Sequence, residues 1–406
     1  MSKNIFFTGQ PVLTQLIDFI PRNLIEKCTK RHQSDHYCKT FKSYDHLITM
    51  LFASYHQCNG LRELTTGMQA WQDRLLHIGI MQYPRKSTLS DANSRRTHKF
   101  FEDIYYSLFR LHRTKFSPDS RPGRLENRLY VMDSSTFDLF ADVMQGVGAI
   151  KENGKRKGGV KAHMMIDYIH QLPAICYFSE ARENDRILMD KIQLPSGSIL
   201  VFDKGYVKHS QWQRWTEKNI IWTTRMNDNA SYELIQEMPI SDAQRAKGVL
   251  SDQMVLLGRG TGPTTEIIPA RRIGFFDKEK NREFTFLTNS ERLSPATIAG
   301  FYKKRWKIEN YFKSLKQNFQ LRYFLGDSPN AIFIQLWCAL IADMLIKLVM
   351  TLATKKKWAY ANLRALIRMH LGTYVNLMAF LNSPEKALRS RIKYMTGQLK
   401  FNFNPI

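Results

Sequence analysis

Two short apolar runs, each followed at once by an aspartate, constrain the fold of this chain more than any other feature. Asp133 follows Leu129–Met132 in the segment YVMDSSTF, and Asp203 follows Ile199–Phe202 in LVFDKGY. Runs of this kind are typical of strands that are buried on both faces of a sheet. In open α/β sheets the residues after such strands line the ligand crevice. An aspartate here is also compatible with an ordinary turn or helix cap, so these two residues alone leave the function open.

The neighbouring segments predict a mixed sheet covered by helices. Val160–Ile166 and Leu172–Phe178 are expected to form a β-hairpin. Asn184 can cap a following helix, and Trp212 and Trp215 fall on another helix beyond the second aspartate. Three strands, a helix, a fourth strand and further helices describe an α/β layer fold with a partly antiparallel sheet.

The regions on either side of this core have helical patterns. Before residue 120, apolar side chains recur at helical spacing at Phe100, Phe101, Ile104, Tyr105, Leu108 and Leu111. The segments that favour strands after the core are Met254–Leu257, Thr265–Ile268, Arg271–Phe276 and Glu283–Thr288. Four regions are therefore expected: a helical domain at 1–125, a discontinuous core at 126–222 plus 292–325, a β-rich insertion at 223–291, and a helical region at 326–406.

The charge of the chain indicates a polyanionic partner. There are 60 Lys and Arg residues against 36 Asp and Glu, which gives a formal net charge of +24. An excess of this size destabilises the compact fold by self-repulsion unless a polyanion neutralises it, and it attracts nucleic acid. Because the positive charge is spread through segments with folded patterns, we favour DNA or RNA over a basic ribosomal or membrane-surface protein.

The cysteines and one long apolar segment bear on the compartment. The five cysteines lack regular pairing, and residues 1–10 lack the apolar core of a signal peptide, so we expect reduced thiols in a cytoplasmic protein. Residues 331–353 are apolar, but Gln335, Asp343 and Lys347 interrupt them. Since these side chains are costly in lipid, a buried helix is favoured and no membrane association is expected.

A third acidic residue, Glu309, lies in a basic segment with helical periodicity. On a helix it shares a stripe with Tyr302, Arg305, Lys313 and Lys316. The adjacent apolar stripe consists of Phe301, Ile308, Phe312, Leu315 and Phe319, whereas Lys303, Lys304 and Lys307 fall elsewhere and can be solvated. Such a helix would present Glu309 at the crevice rim, among cations able to hold phosphates. Taken alone, the segment is better explained by a solvated amphipathic helix with ion pairs four residues apart.

These three contexts together resemble the DDE transposases of the insertion sequence 4 family. The spacing Tyr302–x2–Arg305–x3–Glu309–x6–Lys316 is similar to the Y-R-E-K motif of that family, and the MDSSTF and FDKGY contexts are similar to its first two acidic motifs. The resemblance covers roughly residues 126–325, in the right order, and leaves room for the β-rich insertion. It implies an RNase H-like core, cut-and-paste transposition, and a dimeric complex with paired transposon ends.

The resemblance also implies roles for individual residues. The implied ligands of two Mg²⁺ ions, for which Mn²⁺ can substitute, are Asp133, Asp203 and Glu309. The implied phosphate contacts near the cleaved end are Tyr302, Arg305, Lys316 and, one turn after the glutamate, Lys313. Paired metal ions activate a water or hydroxyl and stabilise the leaving oxygen in phosphoryl transfer.

Other residues are candidates for DNA contact. Trp306 either stacks on an unpaired base or packs against the insertion. The basic segment 151–161 either loops near DNA or is a solvated turn, and Lys161 and His163 resemble a basic feature of the family core. The base-flipping aromatic of family members that form a hairpin is not identified. A run of Cys and His between Cys28 and Cys38 matches no known structural zinc spacing.

The resulting hypothesis is a bacterial DNA transposase that acts in the cytoplasm, in association with the nucleoid. It nicks terminal inverted repeats, forms a hairpin if the family resemblance holds, and transfers the freed strand into target DNA. Residues 1–125 are expected to bind the ends, and residues 326–406 are candidates for dimerisation. The alternatives are a non-catalytic DNA-binding protein derived from a transposase and an RNase H-like nuclease that never joins strands.

Overall fold

The computed structural model describes residues 9–116, 125–138, 159–181, 183, 186–258, 267–319, 321 and 323–386 of the 406-residue chain. The chain divides into two units, one formed by Met1–Pro118 with Leu315–Ile406 and the other by Asp119–Ser314. The described part of the first unit is helical, and the second unit carries every strand found among the described residues.

Fifteen α-helices occur in the described parts of the chain. The first seven are α1 (Val12–Ile17), α2 (Arg22–His32), α3 (Ser43–His56), α4 (Leu61–Ala70), α5 (Gln72–Leu75), α6 (Lys86–Arg95) and α7 (His98–His112). The next five are α8 (Arg186–Lys191), α9 (His209–Glu217), α10 (Asp242–Ala246), α11 (Pro295–Lys304) and α12 (Trp306–Asn318). The last three are α13 (Pro329–Leu352), α14 (Tyr360–His370) and α15 (Leu377–Asn382).

Helix α13 forms the core of the helical unit. It packs against α3, α6, α7 and α14, and 94% of its most apolar stretch is buried. Its charged side chains are paired inside the protein, because Lys347 Nζ lies 2.8 Å from Asp343 Oδ2 and Asp343 also accepts a hydrogen bond from the Tyr360 hydroxyl. Among the described residues it is the one helix with the length and hydropathy of a membrane span. Its burial confirms the prediction of a core helix.

Helix α7 confirms the predicted amphipathic helix with one exception. Five of the six predicted apolar side chains are buried, but Leu111 is 48% exposed. It lies at the edge of the apolar stripe, in the last turn of the helix. Phe109, which the pattern did not predict to be in the core, is buried.

The second unit is built on a nine-stranded sheet with the order β3-β2-β1-β4-β5-β9-β8-β7-β6. The strands are β1 (Leu129–Asp138), β2 (Gly159–Asp167), β3 (Leu172–Glu180), β4 (Ile199–Phe202), β5 (Ile221–Arg225), β6 (Tyr232–Glu237), β7 (Val249–Leu257), β8 (Ile268–Asp277) and β9 (Arg282–Thr288). Strands β1, β4 and β5 are parallel, and the other pairings are antiparallel. Strands β6 to β9 therefore extend the sheet of the core through the β5–β9 pairing.

Most strand predictions are confirmed, with shifted ends. The β2–β3 hairpin and the β-rich segment are present, but β5 and β6 were not predicted. Strand β6 is at the sheet edge and largely exposed, so its sequence lacks a buried face. The predicted strand at 265–268 lies outside the described residues except for its last two positions, and Asn184 lies outside them as well.

Strand β1 is longer than predicted and does not end at Asp133. Its parallel pairing with β4 stops at Met132, opposite Phe202, while its antiparallel pairing with β2 continues to Asp138. Beyond Met132, β1 is hydrogen-bonded to β2 but no longer to β4, because β4 ends at Phe202. Asp133 thus lies at the point where β1 loses one neighbour, beside the residue that follows β4.

The core strands are covered on both faces, as their apolar runs predicted. Leu200 and Phe202 of β4 face a cluster that contains the α9 tryptophans Trp212 and Trp215. Ile199 and Val201 face the opposite side, where they pack with Phe301 of α11. Alternation along β1 and β4 then directs the next odd-numbered positions, Asp133 and Asp203, towards the α11 side.

The predicted basic helix is divided into α11 and α12 at Arg305. The Arg305 amide donates to the Tyr302 carbonyl, and the Ile308 amide donates to the Arg305 carbonyl, so the chain tightens locally to three-residue hydrogen-bonded turns. The prediction of one continuous helix from Tyr302 to Lys316 is therefore wrong. The predicted apolar stripe from Phe301 to Phe319 is buried. Lys304, expected to be solvated, instead pairs with Glu126 at 2.9 Å.

Candidate active site

The end of α11 and the start of α12 place Tyr302 and Arg305 against the two aspartates and Glu309 against Arg305. The Tyr302 hydroxyl donates to Asp203 Oδ1 at 3.1 Å. Arg305 donates from Nη1 to Asp133 Oδ2 at 2.9 Å and from Nη2 to Glu309 Oε1 at 2.6 Å. The three predicted carboxylates are therefore linked through the tyrosine and the arginine of the same motif. This cluster is the candidate active site.

Burial and neighbouring charges perturb the ionisation of this cluster. Burial raises the pKa of Asp133 to about 6, and the nearby carboxylates Asp203 and Glu309 act in the same direction. Arg305 and the hydrogen bond from the Ser134 amide oppose this rise in pKa. Burial and the contact with Asp203 raise the pKa of the Tyr302 hydroxyl to about 12, so it stays protonated and can donate. Perturbed carboxylates in a cleft are typical of functional sites.

The side chains of this cluster fit a hard divalent cation in their chemistry, but not as a ready-made cage. Carboxylate oxygens are the preferred ligands of Mg²⁺, and Asp133, Asp203 and Glu309 all supply them. Among the described residues, no three acidic, histidine or cysteine side chains converge closely enough to hold a metal ion. Arg305 separates Asp133 from Glu309, since each of its terminal nitrogens is bonded to one of them. The donor set fits a metal ion, and the guanidinium is the cation that it holds in this structure.

A cleft of about 490 Å³ opens beside Asp203 and Tyr302. Basic side chains on its walls are Arg225, Lys247, Lys278, Lys280, Arg282, Lys303 and Arg305. Aromatic side chains on its walls are Phe275, Phe276, Phe284, Phe286, Tyr302 and Trp306. Cations interleaved with aromatic faces suit a nucleic-acid strand, since phosphates pair with the former and bases stack on the latter.

Sequence reasoning missed most of this cleft, although one signal was present. Arg282, Phe284 and Phe286 alternate along β9, so they share one face of the strand. Arg225 at the end of β5 lies on the adjacent strand and pairs in register with Phe286. The alternation marked a common face, but only the sheet order shows that this face lies next to Asp203.

The remaining residues of the basic helix occupy different environments. Trp306 is 56% exposed at the cleft, with Lys280 Nζ 5.4 Å from the centre of its ring. Lys280 belongs to the β-rich insertion, so both roles predicted for Trp306, base stacking and packing against the insertion, stay predictions. Lys313 is exposed and Lys316 is half-buried, one and two turns after Glu309 on α12. The division between the two units falls between these lysines, after Ser314.

Lys161 and His163 both lie on β2, and they differ in how deeply they are buried. Lys161 is half-buried and donates to the Glu183 carbonyl at 3.2 Å. His163 is fully buried, and its Nε2 lies 2.8 Å from the Ser179 hydroxyl. The expected DNA contact by His163 is not supported, because an inward position on a covered strand keeps the ring from solvent. Residues 151–158 of the basic segment lie outside the described residues.

The cysteine and histidine run in the helical unit does not form a zinc site in the described structure. His32 Nε2 pairs with Asp103 Oδ2 at 3.2 Å, and His36 packs on the Tyr37 ring with centroids 3.8 Å apart. Cys38 Sγ accepts from Arg96 Nη2 at 3.2 Å. These side chains are engaged with different partners.

Comparison with known proteins gives the same assignment as the site. Residues 124–345 match the transposase DDE domain, and residues 8–81 match a domain of unknown function, DUF4372. The "Putative transposase y4zB" of Sinorhizobium fredii is 30% identical over 267 residues, covering 65% of this chain and 71% of that protein. The "Probable transposase for insertion sequence element IS5377" of Geobacillus stearothermophilus is 26% identical over 256 residues, covering 63% and 65%.

A solved piggyBac transposase synaptic complex with hairpin DNA has an overall likeness to this chain, with a TM-score of 0.45, 12% identity, and coverage of 96% and 85% of the two chains. Because the TM-score is this low, no residue of this chain is matched to a residue of that structure. The strand order β3-β2-β1-β4-β5, with β2 antiparallel to both neighbours, is that of an RNase H-like core. With the acidic cluster at its centre and the DDE domain match across it, the chain belongs to the DDE transposases of insertion sequences.

Proposed function

We propose that this transposase excises and inserts its element by a cut-and-paste route that depends on a divalent metal ion. Water attacks the phosphorus at each transposon end, the bond from phosphorus to the 3′ oxygen breaks, and that oxygen leaves as a 3′ hydroxyl. The freed hydroxyl attacks a phosphorus of the opposite strand, which closes a hairpin and releases the flanking DNA with a 3′ hydroxyl. Water then attacks the hairpin phosphorus and regenerates the transposon 3′ hydroxyl. That hydroxyl attacks a phosphorus in target DNA and displaces a 3′ hydroxyl of the target strand. The observation that carries the proposal is the gathering of Asp133, Asp203 and Glu309 around Tyr302 and Arg305.

Each residue of the cluster has a proposed part in these steps. Asp133, Asp203 and Glu309 would hold two Mg²⁺ ions, which activate the attacking oxygen and stabilise the leaving one. The Tyr302 hydroxyl orients the Asp203 carboxylate, since it donates to Oδ1 and stays protonated. Arg305 and, further along α12, Lys313 and Lys316 contact phosphates of the cleaved strand.

The aromatic cleft supports the hairpin step. A tight hairpin requires at least one base to leave the stack, and an aromatic face can receive it without sequence preference. Trp306 lies at the cleft, is mostly exposed, and follows Arg305 directly in the chain. We assign Trp306 as the side chain on which the displaced base stacks, while the basic residues of the cleft hold the adjoining phosphates.

The other regions have proposed roles in assembly. Residues 1–125 bind the terminal inverted repeats, and the exposed polar and basic face of α6, including Lys86 and Arg95, is the candidate reading surface. The net charge of +24 supports binding of both transposon and target DNA. Residues 326–406 are proposed to pair two protomers, so that one dimer joins both ends. The enzyme would work in the bacterial cytoplasm, at the nucleoid.

The test is an assay with a duplex that carries the repeats flanking the gene of this protein. Incubation with Mg²⁺ should give nicked, hairpin and joined products, and EDTA should remove all three. Nicking without joined products would support a hydrolytic nuclease instead. Tight binding without any cleavage in Mg²⁺ or Mn²⁺ would support the non-catalytic DNA-binding protein and refute the proposal.

A further inference from the structure

Arg305 connects two carboxylates that the proposed chemistry needs for another cation. Its guanidinium contacts Asp133 at 2.9 Å and Glu309 at 2.6 Å. The Arg305 side chain is only 12% exposed, so these contacts are poorly screened by solvent. A bridging guanidinium satisfies the charge of this carboxylate pair in the same region where a metal ion would.

The bridge leaves one guanidinium nitrogen, Nε, without a hydrogen bond in the part of the chain that the structure describes. Arg305 Nε is buried and has no hydrogen-bond partner among the described residues. A buried donor without an acceptor costs free energy, of the order of 1–3 kcal/mol. Phosphate oxygens, like carboxylate oxygens, are acceptors that guanidinium groups bind in two-pronged geometry. The arginine is therefore held by the carboxylates but not fully satisfied by them.

We propose that Arg305 is the internal counter-ion of the DNA-free enzyme, which keeps divalent cations from Asp133 and Glu309 until a DNA phosphate draws the guanidinium away. This inference rests on the proposed function, because it assumes that these carboxylates take up metal ions. The arginine then has two alternative partners, the carboxylates without DNA and the phosphate with it. Both partner sets are anionic, so the exchange keeps the guanidinium paired throughout.

The exchange makes metal binding and DNA binding cooperative. If DNA removes the competing cation, then DNA raises the affinity for metal, and by linkage metal raises the affinity for DNA by the same factor. Couplings between sites of this kind are typically about 5- to 150-fold. The device would prevent metal-dependent hydrolysis by an enzyme that has not engaged a transposon end.

The experiment measures Mn²⁺ binding to the DNA-free full chain by electron paramagnetic resonance. Arg305→Gln removes the bridge and should raise the Mn²⁺ affinity by about 5- to 150-fold over the unmodified protein. Arg305→Lys keeps one charge but cannot span both carboxylates, so its affinity should fall between the two. Should the glutamine variant fail to fold, as judged by near-UV circular dichroism, the lysine variant carries the comparison.

Two controls assign the effect to the bridge. Arg225→Gln removes a cation from the same cleft without breaking the contacts to Asp133 and Glu309, so it should change the Mn²⁺ affinity much less. Adding Asp133→Asn to Arg305→Gln should abolish the gained affinity. An equal gain in Arg225→Gln, or a gain that survives loss of Asp133, would overturn the inference, since either result means that the general positive field or another site is responsible.

The outcome is separable from that of the proposed function. If Arg305→Gln leaves the Mn²⁺ affinity unchanged and the protein still cuts DNA, the counter-ion role is refuted and the proposed function is not. If Arg305→Gln raises the Mn²⁺ affinity but the unmodified protein never cuts the repeats, the counter-ion role is supported and the proposed transposition chemistry is refuted. A second readout is the affinity for a fluorescent repeat duplex with and without Ca²⁺: it should improve with Ca²⁺ in the unmodified protein, and this improvement should be lost in Arg305→Gln.

Discussion

Asp133 and Asp203 are neighbours because β1 and β4 run parallel with Met132 opposite Phe202, and each aspartate follows one of that pair. The two residues are 70 positions apart in the chain, at 133 and 203, yet they face the same side of the sheet. Glu309 reaches them from α12, through Arg305. The proposed chemistry therefore depends on two neighbouring strands and one helix, each of which can be tested separately.

Loss of any one acidic side chain should stop cleavage but spare DNA binding. We expect Asp133→Asn, Asp203→Asn and Glu309→Gln each to slow nicking by about 100-fold or more, as for removal of a preorganised electrostatic group. Gel-shift affinity for the repeat duplex should stay within a few-fold. Glu217→Gln, an exposed carboxylate on α9, is the matched control and should cut normally. Near-normal cutting by all three variants would refute the site.

Asp133→Asn should stabilise the DNA-free protein in a pH-dependent way. The folded protein raises the pKa of this carboxyl from 3.8 to about 6, mainly by burial, so the folded state binds the proton more tightly than the unfolded state. Stability therefore falls as the pH rises through that window, and the ionised residue costs at most about 3 kcal/mol above it. Asparagine mimics the protonated acid and removes this cost.

Urea unfolding at pH 8 and at pH 4.5 measures this effect. The gain in the free energy of unfolding should be largest at pH 8 and should shrink as the pH falls from about 6 towards 3.8. Asp190→Asn, at a half-exposed carboxyl paired with Lys208, serves as the control. A variant that is less stable than the unmodified protein at pH 8 would show that the pairing with Arg305 outweighs burial.

Lys316→Ala should weaken engagement of the cleaved end. Removal of one phosphate contact is expected to lower DNA affinity across sequences and to reduce the slope of log affinity against log salt by about 1. Strand transfer should slow more than nicking, because the freed end must be held for the second step. Lys307→Ala on another face of α12 is the comparison, and an unchanged transfer rate in Lys316→Ala removes the proposed role.

Trp306→Ala should separate nicking from hairpin formation. Stacking of one base on an aromatic ring contributes about 1–3 kcal/mol, so hairpin yield should fall by about 5- to 150-fold while nicks accumulate. Trp306→Phe keeps an aromatic face and should recover much of the yield. Denaturing gels of end-labelled repeat duplex resolve both products. Equal loss of nicks and hairpins in the alanine variant would point to a general defect instead.

Asp252→Ala should destabilise the unit that carries the sheet. Asp252 on β7 and Arg271 on β8 form a buried pair at 2.7 Å and 2.6 Å, and Arg271 Nη1 also donates to the carbonyls of Ser290, Glu291 and Leu293 just before α11. Removing the aspartate leaves a buried charge, which costs about 3–5 kcal/mol. Calorimetry would detect the lower unfolding temperature, and Asp252→Ala with Arg271→Met should recover part of it.

The sequence was sufficient for the family assignment and for much of the fold. The apolar runs before Asp133 and Asp203 predicted buried strands because a strand covered on both faces has no polar side. The spacing from Tyr302 to Lys316 predicted one functional stripe because a helix repeats every 3.6 residues, about the spacing of the motif. The polar residues Gln335, Asp343 and Lys347 within the apolar segment of α13 predicted a core helix rather than a membrane span. The structure adds that Asp343 and Lys347 pair with each other.

Tertiary structure decided what local pattern does not encode. The extension of β1 past Asp133 depends on β2, and the break at Arg305 depends on how α11 and α12 pack. The exclusion of His163 from the surface depends on the cover over β2. The cleft beside Asp203 exists because β9 pairs with β5, a contact between residues 61 to 65 positions apart, such as Thr223 and Thr288 or Arg225 and Phe286. Periodicity reports which face of an element is apolar, but the partner that covers or completes that face is set by long-range packing.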